Sequence, residues 1–453
     1  MQRRTRQVFW ILIYFVLILG PLLILLFGPL PAEIPPWREI TFWRELTSAL
    51  GFMGLTLIGI QFAISARPPF FDNLFPIDTL YFFHHRLSIA GFAMALAHPV
   101  LLFINNPDTL QLLNVFTAPW RARAGVASVV LLLVLVITSV RRMSLGLDYE
   151  TWRLLHDVFS IGVIGFGLYH ALEVNFYTSV PVQRGAILGL GALWGTLVVY
   201  IRVIKPWTLL QRPYEVVDVI KERGKTWTLV IEPVGHDGLS FAAGQVAWLS
   251  IGHSPFRIEE HPFSFASSAE RPEQLAFAIK ELGDFTSTIG DTPIGTRVFV
   301  DGPFGTFDLY GEAESDLIFI AGGIGSAPIM SMLRTLADRN DDRRIQFFYG
   351  NRTWEEVIFR EELQTLEERL NLEVIHMLER PPDDWEGESG FINQDMFSRR
   401  LICDDLRTCT FFACGPTPMI EAVQRALEDL GVSRGQLRSQ VRQRIHTELY
   451  EMA

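Results

Sequence analysis

The chain has 453 residues, 49% of them hydrophobic, and a formal net charge of −11 from 39 lysines and arginines against 50 acidic side chains. That acidic excess argues against nucleic acid as a partner, since a phosphate backbone is held by clustered basic charge. Three cysteines, Cys403, Cys409 and Cys414, give neither paired-CxxC zinc spacing nor a disulfide framework. A reducing compartment is the natural setting for that half, and without a CxxCH motif any haem is held by coordination alone.

Mean hydropathy is +0.24 although 20% of residues are charged, which fits a membrane half joined to a soluble half. The length suggests about three domains. From the N-terminus, Arg3, Arg4 and Arg6 precede an uncharged run from Val8 to Leu30. A signal peptide would have a shorter apolar core and a small-residue cleavage site, which Pro21, Pro29 and Pro31 do not resemble. The run is therefore predicted as a first transmembrane helix. Further uncharged runs at Leu46–Ala66, Leu87–Ile104, Ala124–Val140, Val158–Leu172 and Gly185–Ile201 bring the spans to six, the shorter ones extended by their flanks.

The fifth span belongs to a segment, Asp148–Leu172, that reads as an apolar helix with His156 and His170 fourteen residues apart. The two rings then stand about 21 Å apart along the axis and about 40° short of four full turns, so both share one face. His84 and His98 repeat the spacing in the third span. A lone histidine in an apolar helix is usually a core residue with a satisfied ring. Polar groups at bilayer depth are costly, however, and point to function, and two pairs at equal spacing favour ligands. Two such helices can hold two stacked haems, with one histidine from each helix on each iron. His85 stands thirteen residues from His98, which turns its ring about 140° away. His84 is favoured, and a local bulge would reverse that choice.

Basic residues near the span ends set the orientation. With the N-terminus inside, Arg3, Arg4, Arg6, Arg67, Arg86, Arg141, Arg142, Arg153, Arg202 and Lys205 lie inside, against Arg38, Arg44, Arg121, Arg123 and Arg184 outside. The bias predicts cytoplasmic N- and C-termini, with His84 and His156 near the inner face and His98 and His170 near the outer. Arg86 and Arg153 could meet haem propionates, although the positive-inside bias accounts for them equally well.

After Pro206 the pattern changes. YEVVDVIKE and TWTLVIEPV alternate around RGK as a hairpin. FAAGQVAWLSIG, QLAFAIKEL and TRVFVDGPFG continue as strands and turns, which predicts a small antiparallel barrel over about Gln211–Leu309. From Ser315 strands alternate with helices, the mark of a parallel sheet with crossover helices. The fold class is a multi-domain membrane protein: a six-helix transmembrane bundle (1–207), an antiparallel β-barrel (208–310) and an α/β parallel-sheet domain (311–453). No internal repeat is evident.

Gly322, Gly323 and Gly325 close the run DLIFIA and open a helix, where bare backbone can approach a pyrophosphate stabilised by the helix N-terminus. Pro328 stands where a third fingerprint glycine would be, so this turn alone reads as an ordinary tight connection. Cys414, Gly415 and Pro416 form a second strand-end turn. Both turns belong at the carboxyl edge of one parallel sheet, where open α/β folds bind ligands. In the barrel, HPFSFASS offers a rigid Pro262, a flat Phe263 and the hydroxyls of Ser264 and Ser267. Lys280, Gly283 and Thr286 in IKELGDFTS supply a charge, a bare backbone and a hydroxyl suited to phosphate.

HPFSFAS, IKELGDFT, AGGIGSAP and CGPTPM, in this order, closely resemble the ferredoxin–NADP reductase superfamily. Behind six spans with paired histidines, the chain as a whole resembles the ferric reductase and NADPH oxidase family in its short prokaryotic form. The resemblance implies that His261, Pro262, Phe263, Ser264 and Ser267 bind FAD, with Ser264 near the isoalloxazine, and that Ile279, Lys280, Gly283 and Thr286 line its ribityl and phosphate parts. It implies that Gly322, Gly323 and Gly325 hold the nicotinamide cofactor's phosphates and that Cys414, Gly415 and Pro416 border the nicotinamide. Arg352, in YGNRT after a strand, is the candidate clamp for a 2′-phosphate, since guanidinium binds phosphate bidentately; a plain surface arginine is the other reading. The terminal IHTELYEMA resembles the family ending in which an aromatic ring covers the flavin, and Tyr450 would be that ring.

The function so implied is transfer of electrons from cytoplasmic NADPH or NADH through FAD and two b-type haems to an acceptor outside a plasma (inner) membrane. FAD is needed because it accepts two electrons and releases them singly. With both axial positions taken by His84 and His156, or His98 and His170, oxygen would react at the haem edge. Phe92 and Phe166 lie near mid-membrane, between the haems or as core filling. Oxygen giving superoxide is the first expectation for the acceptor. Ferric chelate is the second, and a haem-free transport or redox-supply subunit the third. No calcium-binding loop or proline-rich tail is seen, so no obligatory protein partner is expected.

Overall fold

Hydrocarbon satisfies no backbone polar group, so a span must be a helix or part of a closed barrel, and among the described residues six helices are long and apolar enough to cross a membrane. The computed structural model describes residues 2–31, 41–67, 75, 77–309, 316–403, 406, 409–430 and 445–449. Two units result, Met1–Phe75 with Thr79–Pro206, and Pro76–Asp78 with Trp207–Ala453.

The first unit is built on α1 (Gln2–Phe27), α2 (Phe42–Gly59), α3 (Gln61–Ala66), α4 (Ile77–Asn105), α5 (Trp120–Val140), α6 (Tyr149–Val174) and α7 (Pro181–Val199), and the boundary with the second falls within α8 (Lys205–Leu210). The second span combines α2 with α3, and the sixth combines α7 with α8 through a π turn at Tyr200–Ile204. Most helices outrun the hydropathy runs. The uncharged run Leu87–Ile104 lies within α4, which extends back through Arg86 and the histidines to Ile77, because a helix already long enough to span carries its polar residues at its end. Asp148 caps α6 by accepting from the Thr151 N–H at 2.8 Å.

Small residues draw the helices together in pairs. A Cβ on Gly54 of α2 would lie 2.6 Å from the Ala95 nitrogen of α4, and one on Gly162 of α6 would lie 2.8 Å from Leu131 of α5. Such contacts let helix backbones approach closely in a membrane. Ser128 of α5 also donates to the Val163 carbonyl of α6 at 2.8 Å.

The second unit begins with an antiparallel sheet of β1 (Tyr214–Lys221), β2 (Thr226–Pro233), β3 (Val246–Ile251), β4 (His261–Ser264), β5 (Leu275–Lys280) and β6 (Arg297–Phe304), in the order β4-β3-β6-β1-β2-β5. A bridge between Phe265 and Phe277 joins the end of β4 to β5 and so links the first strand to the last. The RGK turn closes the β1–β2 hairpin with positive φ at Gly224 and Lys225, the twist that suits a tight hairpin.

There follow β7 (Asp316–Gly322), α9 (Ser326–Asp338), β8 (Ile345–Asn351), α10 (Arg360–Arg369), β9 (Leu372–Leu378), β10 (Glu388–Ser389), α11 (Gln394–Arg400), β11 (Cys409–Gly415), α12 (Thr417–Asp429) and β12 (Ile445–Leu449). Their sheet is parallel, in the order β10-β9-β8-β7-β11-β12. The order reverses at β7, so the crevice between β7 and β11 is the switch point at which such sheets bind ligands. One core cluster ties the two sheets together, with Ala243, Ala266 and Phe307 of the barrel packed among Phe319, Met332 and Phe412.

One expectation is corrected by the fold. Cys403 and Cys409 form a disulfide, with Cα atoms 6.3 Å apart, where the sequence pattern gives no disulfide framework and points to a reducing setting. Spacing along the chain does not show that Cys403, in the segment after α11, and Cys409, at the start of β11, come within bridging range.

Candidate functional site

The first site lies between α4 and α6. The His84 and His156 rings have centroids 6.3 Å apart, and those of His98 and His170 are 6.2 Å apart. A metal ion sits about 2 Å from an imidazole nitrogen, so two rings on opposite sides of one ion, with their own radii added, have centroids about 6 Å apart. Both pairs match that span. His85 is exposed, whereas His84 is half-buried and faces His156.

Hydrogen bonds at the far side of the rings test the fit further. His98 Nδ1 lies 2.7 Å from the Thr47 carbonyl and His170 Nδ1 lies 2.8 Å from the Arg121 carbonyl. A carbonyl only accepts, so each Nδ1 carries the hydrogen and each Nε2 keeps its lone pair. This arrangement is the usual support of a metal-ligating histidine. The residues present therefore fit an iron porphyrin held by paired imidazoles. Phe92 is half-buried, and Phe166 is 46% exposed on the helix surface.

The second site lies at the switch point. Ala321 pairs with Cys414 in register, so the two strand-end turns read from the sequence lie side by side. Gly323 has φ +54 with open space beyond its Cα, and a Cβ on Gly325 would lie 2.3 Å from the Cys414 carbonyl. One glycine thus leaves room for a phosphate, and the other permits the two turns to touch. Ser326 Oγ donates to the Gly323 carbonyl at 3.0 Å and accepts a 3.0 Å hydrogen bond from the Tyr349 hydroxyl. Burial pushes the Tyr349 phenol far above its usual range, which keeps it a neutral donor. Cys414 is fully buried beside Phe412 in the cluster that includes Ala266 and Phe307. Pro416 is exposed, and Arg352 is exposed just past the end of β8. Leu449 of β12 pairs with Gly415; Tyr450 lies outside the described residues, as does Arg38.

In the barrel, Phe263 and Ser264 are buried, and Pro262 pairs with Trp248. His261 stacks on Phe285, with centroids 3.7 Å apart. The Ser267 carbonyl accepts from Ser331 Oγ of α9 at 2.7 Å, while the buried Ser267 hydroxyl has no hydrogen-bond partner among the described residues. That orphaned oxygen fits a polar ligand, and Gly283 offers open space for one. Thr286 Oγ1 accepts from the amides of Leu282 and Gly283, both at 2.9 Å, and so shapes that turn. Ile279 is buried in the barrel core, and Lys280 pairs with Glu356 at 3.8 Å.

Sequence reasoning missed Phe285, Tyr349, Ser326 and Met419. Met419 lies against both glycine turns, 2.7 Å from a Cβ built on Gly322 and 2.5 Å from one on Gly415. The position of Tyr349 at the end of a strand run was a usable signal. Its link to the glycine turn depends on strands β7 and β8 being neighbours, which no local pattern reveals.

Comparison with known proteins agrees with this layout. Residues 50–167 match the family described as ferric reductase like transmembrane component, residues 233–308 an FAD-binding domain, and residues 319–425 an oxidoreductase NAD-binding domain. One component of the Na(+)-translocating NADH-quinone reductase of Idiomarina loihiensis is 37% identical over 155 residues, which are 33% of this chain and 38% of that protein. The anthranilate 1,2-dioxygenase electron transfer component of Acinetobacter baylyi is 30% identical over 199 residues, 43% of this chain and 56% of that one. The chain thus spans about half, or less, of the length of these relatives. A solved ferredoxin reductase of carbazole 1,9a-dioxygenase is 24% identical with a TM-score of 0.45, covering 53% of this chain and 69% of its own.

Proposed function

We propose that this chain, which joins a ferric-reductase-like transmembrane component to FAD- and NAD-binding domains of the ferredoxin reductase type, carries electrons from cytoplasmic NAD(P)H through FAD across a bilayer to an acceptor on its far side. FAD supplies the change from two-electron to one-electron chemistry, and two b-type haems supply one-electron carriers within the apolar core. The chain's own residues bind and orient these groups. Gly322, Gly323 and Gly325 expose backbone to the dinucleotide phosphates, Ser326 and Tyr349 hold that turn, and the buried strand end at Phe263–Ser267 offers the Ser267 hydroxyl. His84 with His156, and His98 with His170, would each hold one iron.

The observation that supports the reading is the pair of imidazole separations, 6.3 Å and 6.2 Å, repeated at two depths on the same two helices. Oxygen is the preferred acceptor. One NAD(P)H yields two electrons and one proton, and two oxygen molecules take one electron each to give two superoxide ions. The match to a ferric reductase component favours ferric chelate as the second reading. The test offers purified, cofactor-loaded protein NADPH or NADH with each acceptor alone. Superoxide formed in air supports the oxidase reading. Iron reduction that persists without oxygen, with no superoxide in air, moves the assignment to a metalloreductase.

A further inference from the structure

We infer that Gly51, Gly125 and Ser139 are positioning residues that fix the tautomer of the paired imidazoles, and that Ser139 sets the His84–His156 site apart in reduction potential from the His98–His170 site. The inference rests on the bis-imidazole reading above.

The outer pair uses one device twice. His98 donates Nδ1–H to the Thr47 carbonyl of α2, and the next residue on that helix face, Gly51, would place a Cβ 3.1 Å from the ring. His170 donates to the Arg121 carbonyl of α5, and Gly125, again four residues on, would place a Cβ 2.8 Å from His170 Nδ1. In each case a glycine clears the path by which a ring reaches a helix carbonyl one turn back. Side chains lean toward the helix N-terminus, so any larger residue at i+4 would block that path.

Fourteen residues beyond Gly125 on α5 stands Ser139, and the same distance beyond Arg121 stands Leu135. Ser139 Oγ donates its hydrogen to the Leu135 carbonyl at 2.8 Å and lies 3.2 Å from His156 Nδ1. With its one hydrogen spent, the hydroxyl can only accept from the ring. The inner site thus repeats the outer device with a hydroxyl inserted between ring and carbonyl, and the contact is longer. A hydrogen bond at Nδ1 makes the opposite nitrogen a stronger electron donor and so favours the oxidised metal. Two carbonyl acceptors at 2.7 Å and 2.8 Å hold the outer site lower in potential, on this count, than one hydroxyl at 3.2 Å holds the inner.

The experiment is a potentiometric titration of the purified, haem-loaded full chain, followed by absorbance and by electron paramagnetic resonance. Wild type shows two transitions. Ser139→Ala raises one of them by about tenfold in its reduction equilibrium, about 59 mV for one electron, and leaves the other in place. Ser139→Thr, which keeps the oxygen, restores the wild-type value. Gly125→Ala moves or abolishes the other transition. Should Gly125→Ala fail to accumulate, Ser139→Ala and Ser139→Thr carry the test alone. Both transitions unmoved in Ser139→Ala, or both moved equally, overturns the inference. Wild-type protein that binds no haem overturns the proposed function itself, so the two failures are distinguishable.

Discussion

His98 on α4 and His170 on α6 face each other with ring centroids 6.2 Å apart, and each passes its Nδ1 hydrogen to a carbonyl on a helix behind it. The two rings are therefore locked with their other nitrogens available to one metal between them. His170→Ala is expected to lower haem content from two per chain to one while FAD content and flavin reduction by NADPH stay unchanged. Haem and flavin extracted from the same preparation give the ratio. Unchanged haem content would remove His170 from the ligand set.

Gly325 allows the two strand-end turns to touch, since a Cβ there would lie 2.3 Å from the Cys414 carbonyl, a backbone atom that cannot swing aside. Gly325→Ala should raise the KM for NADPH by tenfold or more, about 1.4 kcal/mol, and leave FAD bound. Flavin fluorescence and stopped-flow reduction measured on one sample separate the two effects.

Arg352 is exposed just past the end of β8, next to the buried Asn351 that closes the strand adjoining the glycine turn. If its guanidinium receives a 2′-phosphate, Arg352→Ala costs a charge-assisted pair of about 1.5–3 kcal/mol. The KM should then rise about tenfold or more for NADPH and stay level for NADH. An equal change for both nucleotides would make Arg352 a surface arginine only.

Acid should loosen the nucleotide-binding sheet through His376. Burial, reinforced by the charge of Arg360, pushes its ring down from 6.5 to about 4, and it packs edge-on against Trp354 at 5.0 Å. The folded-state value is depressed, so between these values the unfolded chain binds more protons. Stability is full above pH 6.5 and is lost as pH falls toward about 4. Thermal midpoints read from tryptophan fluorescence should fall across that window in wild type and fall less in His376→Gln. The same slope in both proteins would assign the acid sensitivity to other groups.

The six spans and both sheets were legible because each rests on a local signal, an uncharged run or a strand alternating with turns. The histidine pairs were legible for the same reason: fourteen residues bring a helix back to nearly the same face. What supports the rings was harder to see. Gly51, Gly125 and Ser139 stand on other helices, and their role depends on α2 packing on α4 and α5 on α6. The fourteen-residue step from Arg121 and Gly125 to Leu135 and Ser139 was present in the sequence, yet it means nothing until the histidines are known to lie opposite. The alternation that marks the barrel likewise did not show that Lys280 meets Glu356 of the neighbouring sheet domain. The Cys403–Cys409 bridge was not legible because its Cα–Cα distance of 6.3 Å depends on how the chain after α11 meets β11, which spacing alone does not show.

The central claim is that two irons sit between the four imidazoles of His84, His98, His156 and His170. Reduced-minus-oxidised spectra of the purified chain, with haem counted per polypeptide, test it most directly. The expected result is a paired b-type signal and two haems per chain, both reducible by NADPH when FAD is bound. A colourless protein, or one that keeps both haems after His98 and His170 are replaced together, would contradict it.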